Sequence, residues 1–417
     1  MTSTRLPRAT WLLIAGDAVS ALGTGLVLPL TLIYLHQARG IPLPVVGLLL
    51  AASGAAGLVA VPLAGVALDR FGARRVLMVV LAGQSLGEAG LAWAHSVPSA
   101  VPAMLGLGAS LGPAFPAFQT MLAGINSDPA GQQRAFAMNF TGVNAGIGVG
   151  GAIGAAVVDV HHAGSFQVLF LANALSCVIF ALLVSALPNV RAAHETGQPA
   201  ARYREVLASR GLRTVLLAML VLAFTGYAAM DSGLPAYATV QARVSVHVVA
   251  LSITLNTAII VGSQLLVLRL VQRLRRSRAL SLIGLIWAAA WAVFGLSALP
   301  ASPGWRIACV MAFSGMFALG ETVMAPTVPP LVNSLASDRI RGRANALASL
   351  TYSVAFVASP AICTGLIAAG LSAVWIGLLC AGCLGTVLLG VRLGRQLGRH
   401  EDKLGEAARP AEEPMPV

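Results

Sequence analysis

The chain has 417 residues, 57% of them hydrophobic and only 10% charged, where an ordinary globular domain carries about a quarter charged residues. That composition excludes a soluble globular protein. The net charge of +12 does not restore a nucleic-acid reading, because the arginines fall in short separate segments rather than on one continuous face, which is the pattern of membrane topology.

Taken in order, apolar runs of bilayer-crossing length, about 17 to 25 residues each, lie near 11–36, 45–68, 76–95, 100–123, 136–158, 166–187, 214–236, 246–270, 279–298, 305–331, 346–369 and 372–393. Gly and Ala are abundant and the alternation of barrel strands is missing, so the expectation is an all-α polytopic protein with 12 transmembrane helices. The first run follows only Arg5 and Arg8 and is too long for a signal-peptide core, so it is expected to stay in the mature chain. The five cysteines all fall in apolar runs; Cys380 and Cys383, one turn apart, read as small packing residues, and no disulfide or metal site is assigned.

Between the second and third runs lies GVALDRFGARRVL, residues 65–77, a short charged turn expected at a membrane surface. Every Lys and Arg except Arg39, Arg243 and Arg306 belongs to the N-terminal segment, to alternate loops or to the tail, which predicts both termini in the cytoplasm. Arg far outnumbers Lys, whose single representative is Lys403, a usage that suggests a high-GC bacterium and hence the bacterial inner membrane. The outer loop Asp159, His161, His162 has the residue types of a metal site but no further partner in sequence, and reads as a solvated loop.

The longest polar interruption, 188–213, divides the runs six and six, giving an N-terminal bundle (1–187), a cytoplasmic linker (188–213), a C-terminal bundle (214–393) and a cytoplasmic tail (394–417) whose mixed charge and prolines predict disorder. Within the linker, Tyr203, Val206 and Leu207 among Arg202, Arg204 and Arg210 read either as a short amphipathic helix on anionic lipid or as a solvated connector. The halves look like copies. Residues 268–280 align with the 65–77 turn, matching Arg70 to Arg273 and Arg75 to Arg278, with Gln272 in place of Asp69. Pro113 and Pro116 in the fourth run correspond to Pro326 and Pro329 in the tenth, each pair followed by an Asp (Asp128, Asp338) and an Arg-Ala (Arg134, Arg343). Such a repeat implies two bundles with a site between them. The prolines, with Pro330, predict kinks at equivalent places.

These motifs, the six-plus-six division and the loop signature together resemble the major facilitator superfamily, and within it the twelve-helix drug:proton antiporter branch. Gly65, Asp69, Arg70, Gly72, Arg74 and Arg75 fit the family's loop signature, with Ala73 where a basic residue is usual. The resemblance implies that Asp69 and Arg70 help lock the cytoplasmic ends of the bundles together, and Arg134 across the adjacent loop is expected to pair with Asp69. Two features depart from the antiporter branch: residues 100–123 contain no Arg, and the glycines of the fifth run (Gly146, Gly148, Gly150, Gly151, Gly154) lack the signature proline.

Four acids fall within apolar runs: Asp17, Glu88, Asp231 and Glu321. A mid-bilayer charge costs at least about 2.5 to 3.5 kcal/mol, so such groups normally face a cavity or a partner. Burial without a cation disfavours the ionised form and suits a carboxyl to proton exchange. The resemblance places Asp17, Asp231 and Glu321 on cavity-lining helices. The expectation is that Asp17 or Glu321 carries a coupling proton for which a cationic or polar substrate competes. A hydrogen bond to Ser20 or Thr24 would instead make Asp17 structural, and Glu88 is expected to pair with Gln84. The rest of the cavity is expected from Tyr34, Phe115, Phe118, Gln119, Tyr227, Phe313, Phe317 and Tyr352, a set suited to a flat amphipathic ligand.

The function read from the sequence is therefore proton-driven efflux of a small amphipathic or hydrophobic compound by alternating access. The partners expected are the substrate, protons and membrane lipid; no nucleic acid, cofactor or metal is called for, and a monomer suffices. A facilitator or proton symporter of a small metabolite shares every motif. A membrane-embedded lipid-modifying enzyme fits less well, because the acids are scattered over separate helices.

Overall fold

The computed structural model describes residues 6–28, 30–126, 129–160, 162–190, 203–271, 274–336 and 338–397. Twelve helices among them are long and apolar enough to cross a membrane: α1 (Arg8–Ala38), α2 (Leu43–Leu68), α3 (Ala73–Ala92), α4 (Val97–Ile125), α5 (Arg134–Val157), α6 (Ala163–Ser185), α7 (Arg210–Val240), α8 (Val246–Gln264), α9 (Arg276–Leu296), α10 (Pro303–Met324), α11 (Arg343–Ala368) and α12 (Ser372–Gln396). This is a multi-pass membrane protein.

The boundaries have local causes. Ser96 and Ser99 form a capping box at the start of α4, and Ser302 Oγ accepts from Trp305 N with Pro303 in the first turn of α10. The helix containing α2 runs on to Phe71 and stops at Gly72, whose φ of +83° is left-handed. There the expected loop forms: Asn189 Nδ2 donates to Phe71 O at 2.9 Å, and Ala73 N donates to Val190 O at 2.7 Å.

The fourth and tenth helices are not kinked alike. α4 continues through Pro113 and Pro116, whereas α10 ends at Met324, Pro326 lies in a turn, and a separate short helix begins at Val328 with Pro329 and Pro330 in its first positions. Three prolines within five residues remove too many N–H donors for one helix to continue, and adjacent prolines suit a helix start. Of the expected linker, 191–202 lies outside the described residues, as does 398–417 of the expected tail; Tyr203–Ala208 is a short helix with Val206 buried, and α7 begins at Arg210, inside the span expected to be linker.

Within the first six helices the packed pairs are α1 with α5 and α6, α4 with α2 and α3, and α3 with α6. The last six repeat the pattern: α7 packs on α11 and α12, α10 on α8 and α9, and α9 on α12. Two extensive pairs join the halves among the described residues, α2 with α11 and α5 with α8. Along α2, Gly47 abuts Thr364 and Gly54 abuts Phe356, but Val61, further along the same helix, is exposed and Gly65 has open space around it. The same happens on α8, where Thr254 and Thr257 meet α5 while Val261 is exposed and Gly262 has no neighbour within 4 Å of where a Cβ would lie. The halves therefore meet toward one end, where the last part of α1 also touches α7 and α8, and splay toward the end bearing Arg70, Arg74 and Arg75. We call this the arginine-rich end.

Candidate substrate and proton site

Glu321 lies in the last turn of α10, just before the proline break, and is partly exposed. Asn256 of α8 donates from Nδ2 to its Oε2 at 2.8 Å. Tyr227 of α7 and Tyr352 of α11 are near enough to feel its charge, and their ring centroids are 5.9 Å apart. No Lys, Arg or His pairs with Glu321 among the described residues. The site thus draws one group from each of four C-half helices.

The helix behind the site explains how Tyr227 is held. Residues Ala223–Ala228 of α7 form a π-helical turn, and Trp291 of α9 donates from Nε1 to Thr225 O at 2.7 Å, satisfying a carbonyl of that widened turn. Trp287, one turn earlier on α9, fits a slot that only glycine permits: a Cβ on Gly226 or on Gly320 would lie 2.3 Å from its ring. Its Nε1 donates to Phe317 O at 3.0 Å, its ring stacks on Phe317, and Tyr227 meets it edge-on at 6.2 Å. This aromatic wall fixes α7 and α10 relative to each other.

In the N half, Asn139 of α5 donates from Nδ2 to Asp17 Oδ2 at 2.9 Å. The partner is neither Ser20 nor Thr24: Ser20 Oγ lies 4.0 Å from Cys177 Sγ, and Thr24 donates to Ser20 O. Asp231 is partly buried on α7, one turn beyond Tyr227. Glu88 is buried between α3 and α6 facing Asn173, and its Oε2 has no hydrogen-bond partner. Gln84 does not pair with it; Cys177 Sγ approaches Gln84 Oε1 at 3.7 Å instead.

Several expected cavity residues sit elsewhere. Tyr34 is wholly buried near the far end of α1, where its hydroxyl donates to Ala92 O at 2.9 Å and accepts from Arg39 Nε at 2.8 Å. Phe313 and Phe317 are core residues packed on Trp287, Trp291 and Phe294, because α9 supplies large rings that need flat partners. Phe118 is buried against Phe180, Phe115 is 69% exposed, and Gln119 is half-buried. Tyr34, Phe118, Phe313 and Phe317 are thus core residues, Phe317 backing the Trp287 wall, while Phe115 and Gln119 keep accessible surface.

At the arginine-rich end the loop residues divide in role. Arg74 Nη1 donates to Leu187 O at 3.0 Å, capping the carbonyl end of α6 within its own half. Gly72 is pressed against Asn189, the Arg70 guanidinium lies 5.3 Å from the Phe71 ring centroid, and Arg75 and Arg134 are exposed. The side chain of Asp69 lies outside the described residues, as do Asp128, Gln272 and Arg273. In the far loop, His162 Nδ1 lies 2.7 Å from Asp159 Oδ2, with His161 outside the described set.

Sequence reasoning missed Asn139 and Asn256. Their signal was present, since an amide in the middle of an apolar run needs a partner as much as an acid does.

The sequence pattern of the family described as Major Facilitator Superfamily matches residues 13–360. The chain belongs to the Major Facilitator Superfamily. It is similar to the uncharacterized MFS-type transporter YttB of Bacillus subtilis (strain 168), 26% identical over 335 residues that span 79% of this chain and 81% of the relative. Among solved structures it resembles a POT family transporter in complex with 5-aminolevulinic acid (14% identical, TM-score 0.75, covering 94% of this chain and 96% of that one). It also resembles a D-xylose-proton symporter (14% identical, TM-score 0.72, covering 95% and 99%). At these identities the likeness is one of fold. As a superfamily member the protein is a transporter and not an enzyme.

Proposed function

We propose that the protein exports a small amphipathic or hydrophobic compound across the cytoplasmic membrane in exchange for protons. The observation that carries this reading is Glu321: a carboxyl within the membrane, held by an amide and flanked by two tyrosines, with no cation paired to it among the described residues. Such a group can hold either a proton or a cationic substrate, which is what exchange requires. Asp17, in a matching amide-bound state in the other half, is the second candidate carrier, and Asp231 the third. The distribution of Arg supports the arginine-rich end, and with it both chain ends, facing the cytoplasm, and the splayed helices then describe a cavity open inward. Tyr227 and Tyr352 supply the aromatic surface for a flat ligand, and alternation between two bundles needs no second copy of the chain.

The test is substrate-dependent proton movement in proteoliposomes under an imposed pH gradient, with a panel of lipophilic cations and neutral drugs. Proton release from the lumen on substrate entry, abolished in Glu321→Gln or Asp17→Asn, is the expected result. A Glu321→Gln variant that retains proton-driven transport removes Glu321 from the reading. The solved D-xylose-proton symporter of like fold supports one competitor, uptake symport of a small metabolite, for which proton and substrate would move in the same direction.

A further inference from the structure

We infer that Asn256 is the residue through which the charge on Glu321 is transmitted to the contact between the two halves; this rests on Glu321 as a proton carrier. The argument begins with the position of Asn256 on α8. Its side chain is buried and points into the C half, where Nδ2 lies 2.8 Å from Glu321 Oε2 and 3.5 Å from Ser314 O, both on α10. The residues beside it on the same turn point the other way: a Cβ on Gly148 or Gly151 of α5 would lie 3.0 Å from Thr257 Cγ2 or 3.1 Å from Thr254 Oγ1. One turn of α8 thus holds the acid on one face and the opposite half of the protein on the other.

Loss of the charge on Glu321, with the second acceptor 3.5 Å from the amide, sets what a proton does here. An ionised Glu321 accepts from the amide, a charge-assisted bond that ties α8 to α10. A protonated Glu321 keeps a carbonyl oxygen that can still accept from the amide, but that bond is no longer charge-assisted, and the amide could take up the new O–H donor only by turning over to present Oδ1. At this position turning over would set Oδ1 against Ser314 O, two acceptors facing each other. Proton uptake therefore weakens the α8–α10 tie instead of re-forming it, and it does so at the turn that carries Thr254 and Thr257. Asn139 differs: its Oδ1 is buried without a partner, so its amide can turn over beside Asp17 without setting two acceptors against each other. The titratable groups facing Glu321 are Tyr227 from α7 and Tyr352 from α11, while α9 presents the indole of Trp287 behind Tyr227. Asn256 is a positioning residue and need not touch substrate.

The experiment requires no knowledge of the substrate. Spin labels at Arg75→Cys and Arg269→Cys, exposed positions at the arginine-rich end of either half, report the separation of the halves by pulsed EPR in lipid nanodiscs between about pH 5 and about pH 9. In the otherwise native chain the ratio of open to closed populations should change about tenfold, as a one-unit difference in proton affinity between the states would produce. Glu321→Gln and Asn256→Leu should each flatten that response, the double variant should behave as Glu321→Gln alone, and Asn256→Gln should restore part of it. A response absent from the native chain, or surviving in Glu321→Gln, overturns the proton-carrier reading. A response lost in Glu321→Gln but intact in a folded Asn256→Leu, judged by native-like size-exclusion behaviour, overturns the inference and leaves that reading standing. Asn256→Leu variants that fail to fold are replaced by Asn256→Ser, for which the same two outcomes apply.

Discussion

Asn139 on α5 donates a hydrogen bond to Asp17 on α1 at 2.9 Å, across a helix pair whose backbones are drawn together by Gly146, Gly150 and Gly154. A partly buried polar group that loses its partner keeps part of its desolvation penalty, so the loss exceeds what the bond alone was worth. Asn139→Leu should therefore destabilise the protein by about 1 to 3 kcal/mol. Adding Asp17→Leu should return part of that loss, since removing both partners is less harmful than removing one. Thermal unfolding in detergent checks both; an Asn139→Leu variant that melts with the native protein would show the bond to be without weight.

The Trp287 slot makes a sharper packing prediction. A methyl group on Gly320 would lie 2.3 Å from Trp287 Nε1, and the indole is pinned by its bond to Phe317 O. Gly320→Ala should therefore lower stability by about 1 to 3 kcal/mol or more through overpacking. Combining it with Trp287→Phe should relieve much of the clash. If Gly320→Ala alone unfolds at the native temperature, α10 moves more freely against α9 than the stacked rings imply.

Gly65 should behave in the opposite way. It is exposed inside a helix, with nothing within 4 Å of where its Cβ would be, so Gly65→Leu should not destabilise the protein and should gain up to about 1 kcal/mol of helix propensity. Yet Gly47 and Gly54 on the same helix press against α11 at the other end, so a closure at the arginine-rich end would need equally bare helix surface there. If a bulky residue adds about 1.4 kcal/mol to that closure, transport slows about tenfold. Melting temperature and initial transport rate, measured together, separate the two effects; unchanged transport would mean that α2 does not close onto α11 near Gly65.

The twelve spans were legible because each is a long apolar run bounded by charge or proline, a signal that needs no tertiary information. The amide partners of the acids were not legible: Asn139 is 122 residues from Asp17 and Asn256 is 65 from Glu321, and nothing local couples either pair. Aromatic residues were ambiguous for another reason. Tyr34, Phe313 and Phe317 sit in apolar helices just as Tyr227 and Tyr352 do, and only their neighbours distinguish core from site. The break after Met324 lay in the composition of the Pro326–Pro330 segment, but a hydropathy window that values apolar character runs straight through it.

The glycines of α5 bear on how force passes through the protein. Gly146, Gly150 and Gly154 would clash with main-chain atoms of Ala18, Leu22 and Leu26, whereas Gly148 and Gly151 look chiefly onto threonine side chains of α8. Backbone meshed with backbone is a rigid joint. A methyl or hydroxyl resting on bare helix is closer to a bearing, able to turn or shift by a fraction of an ångström without a steric barrier. A sideways push delivered to α5 would therefore be handed on to α1, and with it to Asp17, as though the two helices were a single beam, while the seam of α5 with α8 would yield more readily than the α2–α11 seam, where Gly47 and Gly54 press on main-chain atoms of Pro360 and Phe356.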